Sequence, residues 1–275
     1  MGRSQDTTTD AAHGAPLIEL SEASRNSWRA NRYVVLRGAL DEPECERLRK
    51  WTEELAAWRE TPGKWMKYYE PGPARLLCRV ENFLPYHTGL CALLERRDLQ
   101  SCLEELMGEP SVLFKEKLNF KLPGGGGFAP HQDAPAFTSF GQTYHVTLLL
   151  GADRMTQENG CLEVVDGFST PRLLPQEEDG TLRRDLAGAF VWQPLPLEPG
   201  DVVLFDSYVP HRSGPNRSAE PRRALYVSYN RASEGDRRAE YFALKRRAFP
   251  PECERVPGAP LDEASRVFNL GNPIR

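Results

Sequence analysis

The change of hydrophobic pattern near Ser111 constrains the fold of this chain more than any other feature. Beyond it, short apolar or alternating segments are separated by clusters of Gly, Pro and Asn, which is the pattern of β-strands joined by turns. Many short strands with turns between them predict a β-sandwich or jelly roll. The predicted strands cover residues 112–120, 144–150, 161–165, 201–205 and 222–230.

Mostly helical patterns precede these strands. After a short predicted strand over residues 33–36, Asp41 is placed to cap a helix that continues through Trp58. A second helix is predicted over residues 89–107 and is ended by Gly108. The apolar residues of the first helix recur at intervals of three or four and so share one face: Leu48, Trp51, Leu55 and Trp58. The expected fold class is therefore mainly β with flanking helices (α+β).

Length and composition suit one large domain. The chain has 275 residues, 40% of them apolar, although length alone would also allow two smaller domains. We expect residues 1–16 to be a disordered polar tail and residues 17–275 to form a single domain. Within it, the charged, Pro-containing segment 171–196 is predicted to be an excursion or lid rather than sheet. Residues 232–275 are too polar for a prediction.

The charge and the apolar runs bear on partners and location. A formal net charge of −4 argues against a nucleic-acid ligand, and there is no run of 18 apolar residues to span a membrane. The N-terminal residues lack the apolar segment of a secretory signal, and the six cysteines form no CxxC pair. We expect a cytoplasmic protein that acts on a small molecule. The sequence does not indicate an oligomeric state.

Two histidines and one aspartate are candidate metal ligands. In Pro130-His131-Gln132-Asp133, positions i and i+2 of a strand would present an imidazole and a carboxylate on the same face. His211, which follows a predicted strand, is the candidate third ligand. Two His and one carboxylate on one face of a metal leave positions open, as in non-haem Fe(II) oxygenases. A lone H-x-D pair is common by chance, so the assignment depends on further residues.

Arg222 supplies the further evidence. It lies 11 positions after His211, at the start of a predicted strand. A guanidinium is always charged and planar, so it can hold a carboxylate through two hydrogen bonds. A diacid co-substrate that chelates iron at one end needs such a group at the other. The neighbouring Arg223 should face the opposite side of the sheet. Three other histidines are interpreted as structural or solvated: His13, His87 and His145.

At these residues the chain resembles the phytanoyl-CoA dioxygenase family. The resemblance covers roughly residues 30–235. It is carried by the order and spacing of four segments: Pro130-His-Gln-Asp133, Glu158-Asn-Gly-Cys-Leu162, Pro199-Gly-Asp-Val-Val203, and His211 through Arg222.

The resemblance implies a double-stranded β-helix, which is a cupin-like jelly roll, and a hydroxylase that uses Fe(II), 2-oxoglutarate and O2. It implies that His131, Asp133 and His211 bind the iron. It assigns 2-oxoglutarate to three residues: Arg222, Asn119 and Thr147. Related halogenases lack the carboxylate ligand, so Asp133 favours hydroxylation.

Alternating lysines point to the substrate. In a strand over residues 112–120, Lys115 and Lys117 would share a face with Asn119. Lysines beside the metal cavity would indicate an anionic substrate, although alternating lysines more often mark a solvated face. The segment 115–137 looks most like the branch of the family that hydroxylates organophosphonates. Lys117 and Arg79 would then hold the phosphonate. An ammonium group would meet one of four residues by cation–π or charge contact: Tyr69, Glu81, Tyr144 or Asp206.

Three alternatives remain open at this point. The first is a natural-product tailoring hydroxylase of the same family. A zinc hydrolase would use the same three ligands to activate water, but it would not need Arg222 and has no obvious general base. A non-catalytic β-barrel binding protein would have no reason to keep all four residues of the metal and carboxylate sites.

Overall fold

The computed structural model describes residues 18–258, 260–271 and 274 of the chain. The predicted tail, residues 1–16, and His13 within it lie outside the described residues. The described part contains eleven strands: β1 Tyr33–Leu36, β2 Met66–Tyr69, β3 Leu77–Glu81, β4 Ser111–Lys121, β5 Phe128–His131, β6 His145–Gly151, β7 Leu162–Val165, β8 Trp192–Leu195, β9 Val202–Asp206, β10 His211–Ser213 and β11 Arg222–Arg231.

The helices are concentrated in the N-terminal part of the chain, as the sequence predicted. The α-helices within the described residues are α1 Glu22–Asn31, α2 Glu42–Ala57, α3 Thr88–Leu94, α4 Arg97–Met107, α5 Arg184–Ala189 and α6 Arg238–Ala248. None of the helices in this part of the chain has the length and apolar character needed to cross a bilayer.

The strands form two antiparallel sheets. The major sheet has the order β1-β9-β6-β11-β4-β3-β2, and the minor sheet has the order β5-β10-β7-β8. Several neighbours are far apart in sequence, as are β5 and β10 or β1 and β9, because the chain passes between the two sheets. Two such sheets enclose one interior, which is the jelly-roll arrangement that the sequence predicted.

The helices cover one face of the major sheet. Leu48 and Leu55 of α2 and Leu103 of α4 are completely buried in one cluster with Leu148 and Val227 of the sheet. Burying a leucine side chain contributes about 1.5–3 kcal/mol. The opposite face of the sheet is turned toward the minor sheet, and side chains alternate between the two environments along each strand. The helical layer thus leaves the inner face free to carry polar residues.

The predicted helix over residues 89–107 is in fact two helices. The chain leaves helical geometry at Arg96 (φ −52°, ψ 128°), between α3 and α4. The Arg96 guanidinium pairs with Glu44 at 2.9 Å and with Asp98 at 2.6 Å, so contacts with α2 fix the break. These distant contacts override local helix preference. Gly108 ends α4 with φ 77°, as predicted.

The predicted excursion, residues 171–196, is partly wrong. It contains α5, and it ends in β8, which pairs with β7. The ring of Trp192 lies under the Arg212 guanidinium at 4.5 Å, which holds β8 against the minor sheet. Pro194 fits there because β8 is an edge strand. The C-terminal region, for which the sequence allowed no prediction, contains α6 and an irregular segment that reaches the interior.

Asp41 caps α2 in the way that the sequence predicted. Its carboxylate accepts from the Glu44 backbone N–H at 2.8 Å, and the Glu44 carboxylate accepts from the Asp41 N–H at 3.1 Å. This reciprocal pair satisfies two N–H groups that the helix itself cannot.

We expect Asp41→Ala to lower the free energy of unfolding by about 1 kcal/mol, because the helix N-terminus loses its acceptor. Urea unfolding measures this change. Asp41→Asn is the matched control, since asparagine is also a good N-terminal cap, and it should stay close to wild type. An equal loss in both variants would show that the charge, rather than the cap, stabilises the protein.

Candidate metal centre and active site

The pairing of two short strands brings two candidate ligands together. His131 is the last residue of β5, His211 is the first of β10, and they are direct partners in the antiparallel register. Their ring centroids are 4.2 Å apart. The Nε2 atoms of His131 and His211 each lie 3.9 Å from an oxygen of Asp133. Two ligands of one ion with bonds of about 2.1 Å can be no more than about 4.2 Å apart, and both His–Asp distances are within this limit.

Asp133 reaches the site by a different route from the one predicted. The strand β5 ends at His131, and Asp133 has helical backbone angles (φ −76°, ψ −30°) at the start of a 3-10 turn. Strand alternation therefore does not explain why the two residues converge. The buried Gln132 between them explains the turn: its Nε2 donates to Tyr208 O at 2.5 Å and to Arg172 O at 2.9 Å. These hydrogen bonds fix the turn that directs Asp133 inward.

Backbone carbonyls orient both imidazoles. His131 Nδ1 is 2.7 Å from Ala129 O, and His211 Nδ1 is 3.0 Å from Val209 O. A carbonyl oxygen only accepts, so Nδ1 carries the proton in each ring and Nε2 presents a lone pair to the centre. Metal-binding histidines are commonly oriented in this way.

The charge states of the three residues also suit a cation. Burial lowers the pKa of His131 to about 3, helped by neighbouring His211, and burial likewise lowers the pKa of His211. Burial alone would raise the pKa of Asp133, but the positive charge of Lys117 and other cationic neighbours outweigh it and lower that pKa. The site therefore offers two neutral imidazoles and one carboxylate at neutral pH, which is the form that metals bind.

Arg222 lies on the inner face of β11 and is fully buried. Its Nη2 donates to the Tyr226 hydroxyl at 3.1 Å, while its Nε has no hydrogen-bond partner among the described residues. A buried guanidinium with an unused N–H is costly unless a ligand accepts from it. Arg223 faces the other side, as predicted, and binds Asp153. Tyr226 was missed, although its position four residues after Arg222 on a strand places it on the same face.

Asn119 and Thr147 also lie on the inner face. Asn119 is the cross-strand partner of Ala224, and its Oδ1 accepts from Arg79 Nε at 3.2 Å. The Thr147 hydroxyl is 3.1 Å from that of Ser228. Both side chains are buried, so the sheet brings these residues into the same interior as Arg222. Whether they contact 2-oxoglutarate stays a prediction.

Three cationic side chains line a cavity beside the metal ligands: Arg79, Lys115 and Lys117. Lys115 and Lys117 thus lie on the inner face with Asn119, not on a solvated face. Burial lowers the pKa of both lysines, that of Lys117 to about 7. A buried amine with so low a pKa gains from an anion placed next to it.

The four residues that the sequence suggested as partners of a substrate ammonium group already contact cationic side chains of the protein. The ring of Tyr144 lies on the outer face with Arg231 over it at 4.0 Å and Arg32 at 5.9 Å, so the prediction that Tyr144 binds substrate is wrong. Asp206 lies beside Arg32, and Tyr69 stacks on Arg75.

Glu81 is engaged as well. It is buried and forms ion pairs with Lys245 and with Arg79 at 3.1 Å. Burial alone would raise the pKa of Glu81, but Lys245 and Arg79 outweigh it and hold that pKa below its usual range.

Two of the remaining histidines have structural roles, as expected. His145 is buried between Phe114 and Phe137, with Nε2 3.1 Å from Gln142 Oε1. His87 caps α3 by accepting from the Leu90 N–H.

The sequence did not indicate the remaining walls of the cavity. They are apolar or aromatic and come largely from the C-terminal part of the chain: Phe128, Ala136, Tyr241, Val267, Phe268 and Leu270.

Comparison with known sequences places the site in a group of oxygenases. The sequence profile of the phytanoyl-CoA dioxygenase (PhyH) family matches residues 28–224. A 2-aminoethylphosphonate dioxygenase from uncultured bacterium HF130_AEPn_1 is 51% identical, over 93% of this chain and 98% of the relative. A methylphosphonate hydroxylase from Gimesia maris is 42% identical, over 84% of this chain and 88% of the relative.

A solved structure shares the fold. The epimerase SnoN, in complex with Fe3+, alpha ketoglutarate and nogalamycin RO, superimposes with a TM-score of 0.66 at 21% identity, covering 92% of this chain and 95% of SnoN. At this level of sequence identity, the similarity shows only that the two proteins share a fold.

The ligand geometry predicts metal-dependent stabilisation. Saturating Co2+, an oxidation-resistant substitute for Fe2+, should raise the melting temperature of chelator-treated protein by about 5–10 °C, since binding at 100-fold excess over Kd contributes about 2.7 kcal/mol. His211→Ala should remove most of this shift. His87→Ala is the matched control: its melting temperature falls because α3 loses a cap, but the cobalt-dependent shift stays. A full shift in His211→Ala would place the metal elsewhere.

Proposed function

Because the chain belongs to the phytanoyl-CoA dioxygenase family, we propose that His131, Asp133 and His211 bind its iron, that Arg222 binds its co-substrate, and that it hydroxylates a small phosphonate. The protein is a non-haem Fe(II)- and 2-oxoglutarate-dependent dioxygenase. The observation that supports the ligand assignment best is the convergence of the three ligand atoms within 4.8 Å of one another in a buried site.

The bound iron, with 2-oxoglutarate and O2, supplies the oxidation of a substrate C–H bond to an alcohol. The protein provides the arrangement. Carbonyls of Ala129 and Val209 hold the imidazoles with Nε2 inward. Three protein ligands leave the other positions of the metal for small molecules. Burial of all three ligands keeps bulk water from the centre.

Arg222 holds the far carboxylate of 2-oxoglutarate in this proposal. The unpartnered Nε of Arg222 is available to donate to the carboxylate. The hydrogen bond from Nη2 to the Tyr226 hydroxyl fixes the plane of the guanidinium. Lys121 lies beside it but donates to Gly160 O at 3.2 Å and Ser213 Oγ at 2.8 Å, so its ammonium is already engaged. Arg222 is therefore the cation of this pair that is free to bind a ligand.

The charges of the cavity support a dianionic substrate. Arg79, Lys115 and Lys117 line it, and Lys245 and Glu81 are paired beside them. The four cationic groups face the two carboxylates of Asp133 and Glu81, and the charges of Fe(II) and of 2-oxoglutarate cancel, so two formal positive charges remain in excess. A phosphonate carries up to two negative charges and offers three acceptor oxygens, which suits Lys115, Lys117 and Arg79. Two relatives described above act, by name, on 2-aminoethylphosphonate and methylphosphonate.

The alternatives have weaker support. A zinc hydrolase has no use for Arg222 and lacks a free general base among the described residues, because Glu81 is occupied by two cations. A non-catalytic binding protein does not need the buried ligand set. A natural-product tailoring substrate would be larger and less charged than this cationic cavity favours. A cytoplasmic location and the absence of nucleic-acid and membrane partners stay predictions.

A turnover assay tests the substrate class. The Fe(II)-loaded protein should form succinate from 2-oxoglutarate under O2, and 2-aminoethylphosphonate or methylphosphonate should accelerate it at least tenfold. β-Alanine and acetate, the carboxylate counterparts, should not, because a monoanion leaves the lysines undercompensated. Lys117→Gln should raise the KM for the phosphonate about 100-fold, while Lys50→Gln, an exposed lysine of α2, should not change it. Succinate formation that no phosphonate accelerates would refute the substrate class.

The role of Arg222 has its own test. Arg222→Ala should raise the KM for 2-oxoglutarate about 100-fold, because a buried charged hydrogen-bond pair contributes about 3 kcal/mol. Its affinity for Co2+ should change less than threefold. Arg223→Ala, on the outer face of the same strand, should leave this KM unchanged. An equal loss of metal affinity and co-substrate affinity in Arg222→Ala would contradict the assigned role.

A further inference from the structure

A segment near the C-terminus forms one wall of the active-site cavity. This segment, residues 267–271, is called the strap. Val267, Phe268 and Leu270 line the same cavity as His131 and Asp133. The family profile ends at residue 224, so the strap lies beyond the residues that define the family. It is apolar, whereas the wall formed by β3 and β4 is cationic.

Gly271 fastens the strap beside a metal ligand. Its carbonyl accepts from the Ala129 N–H at 2.7 Å, on β5, two residues before His131. A Cβ on Gly271 would lie 2.7 Å from Ala129 O and 2.8 Å from His131 Nδ1. The same position has φ +62°, which side-chain-bearing residues rarely adopt. Only glycine therefore lets the strap approach β5 this closely.

Leu270 links the strap to the segment 171–196. A Cβ on Gly180 would lie only 2.2 Å from Leu270 Cδ2. That segment is itself tied to β5, because the Leu182 N–H donates to Pro130 O at 2.8 Å. Leu270 is thus held between the cavity and a second covering segment.

The enclosed space shows why this wall matters. The cavity has a volume of about 20 Å³, which is enough for one or two water molecules. A phosphonate with its carbon chain is larger than this space, so a wall must shift to accommodate it. The walls from β3, β4 and β5 are fixed in sheets, and α6 is tied to them by ion pairs of Lys245 with Glu81 and Arg238 with Glu116. The strap is held by one backbone hydrogen bond at Gly271 and otherwise by side-chain packing, of Phe268 on Tyr241 and of Leu270 beside Gly180, and within the described residues it pairs with no strand.

From this geometry we propose that the strap is the specificity-determining wall of the active site: it moves to admit substrate, closes on it, and Leu270 limits the length of its carbon chain. The proposal rests on the proposed function, because it takes the substrate to be a phosphonate held at its anionic end by the cationic wall. The alkyl end then faces Leu270 and Val267. Each extra methylene must displace these side chains.

Binding to a non-reacting protein tests the length limit. The protein loaded with Co2+ and 2-oxoglutarate under argon is titrated calorimetrically with methylphosphonate, 2-aminoethylphosphonate and 3-aminopropylphosphonate. Wild type should bind the three-carbon compound at least tenfold more weakly than the two-carbon compound, in the range expected for one methylene in a closed pocket. Leu270→Ala should reduce this ratio to below threefold. Val256→Ala, an exposed position outside the strap, should retain the wild-type ratio.

Two glycine variants test the anchor. Gly271→Ala and Gly258→Ala both place a side chain at positive φ (+62° and +79°), but a Cβ at Gly258 has nothing within 4 Å. Both variants have a strained backbone at the substituted residue, but only the new side chain of Gly271→Ala collides with β5. Gly271→Ala should bind 2-aminoethylphosphonate at least tenfold more weakly, and Gly258→Ala should stay within twofold of wild type. If Gly271→Ala does not fold, the role of the strap is tested by the chain-length selectivity of Leu270→Ala alone.

The outcomes separate the two proposals. If wild type binds none of the three phosphonates, the proposed function fails. If it binds them but Leu270→Ala keeps the wild-type ratio, or the two glycine variants behave alike, the substrate class stands and the role of the strap is overturned.

Discussion

The antiparallel contact between β5 and β10 is the interaction on which the active site depends. It pairs His131 with His211 directly, and the turn after β5 adds Asp133. Both strands are short, and β10 is also paired with β7, so the minor sheet as a whole fixes the distance between the imidazoles. A ligand set placed by backbone hydrogen bonds is preorganised, because no side-chain rearrangement is needed when the metal binds.

The second constraint is electrostatic. The inner face of the major sheet buries several lysines and arginines, which would be unfavourable in an empty apolar core. Part of this charge is compensated inside the protein: Glu81 forms ion pairs with both Lys245 and Arg79, and Lys121 donates to backbone carbonyls. Among the described residues, Lys115 and Lys117 form no ion pair, and the carboxylates that act on them are Asp133 and Glu81 from a greater distance. The uncompensated part lies where co-substrate and substrate would bind, so the cost of burial is offset by ligands rather than by the fold.

Sequence patterns predicted most of the strands and the capped helix α2, and they indicated His131, Asp133, His211 and Arg222 as site residues, because periodicity and spacing are local properties. Three features were not predicted, each for a different reason. Arg96 splits a helical pattern through its pairs with Glu44 and Asp98. Tyr144 was assigned to the substrate, but it follows the strand alternation to the outer face, where Arg231 covers it. The strap was missed because a few apolar residues in a polar segment carry no periodic signal.

The walls formed by strands and the walls formed by the covering segments differ in how readily their residues can be substituted. Strands hold the two candidate histidine ligands and the cationic side chains, and a change there alters spacing throughout a sheet. The strap lines the cavity from outside the sheets, through Val267, Phe268 and Leu270, and Leu270 in turn lies against Gly180 of the segment 171–196. Loops and termini accept substitution at little cost to stability. A jelly roll of this kind can therefore keep the residues on its strands and change what it binds by altering the covering segments.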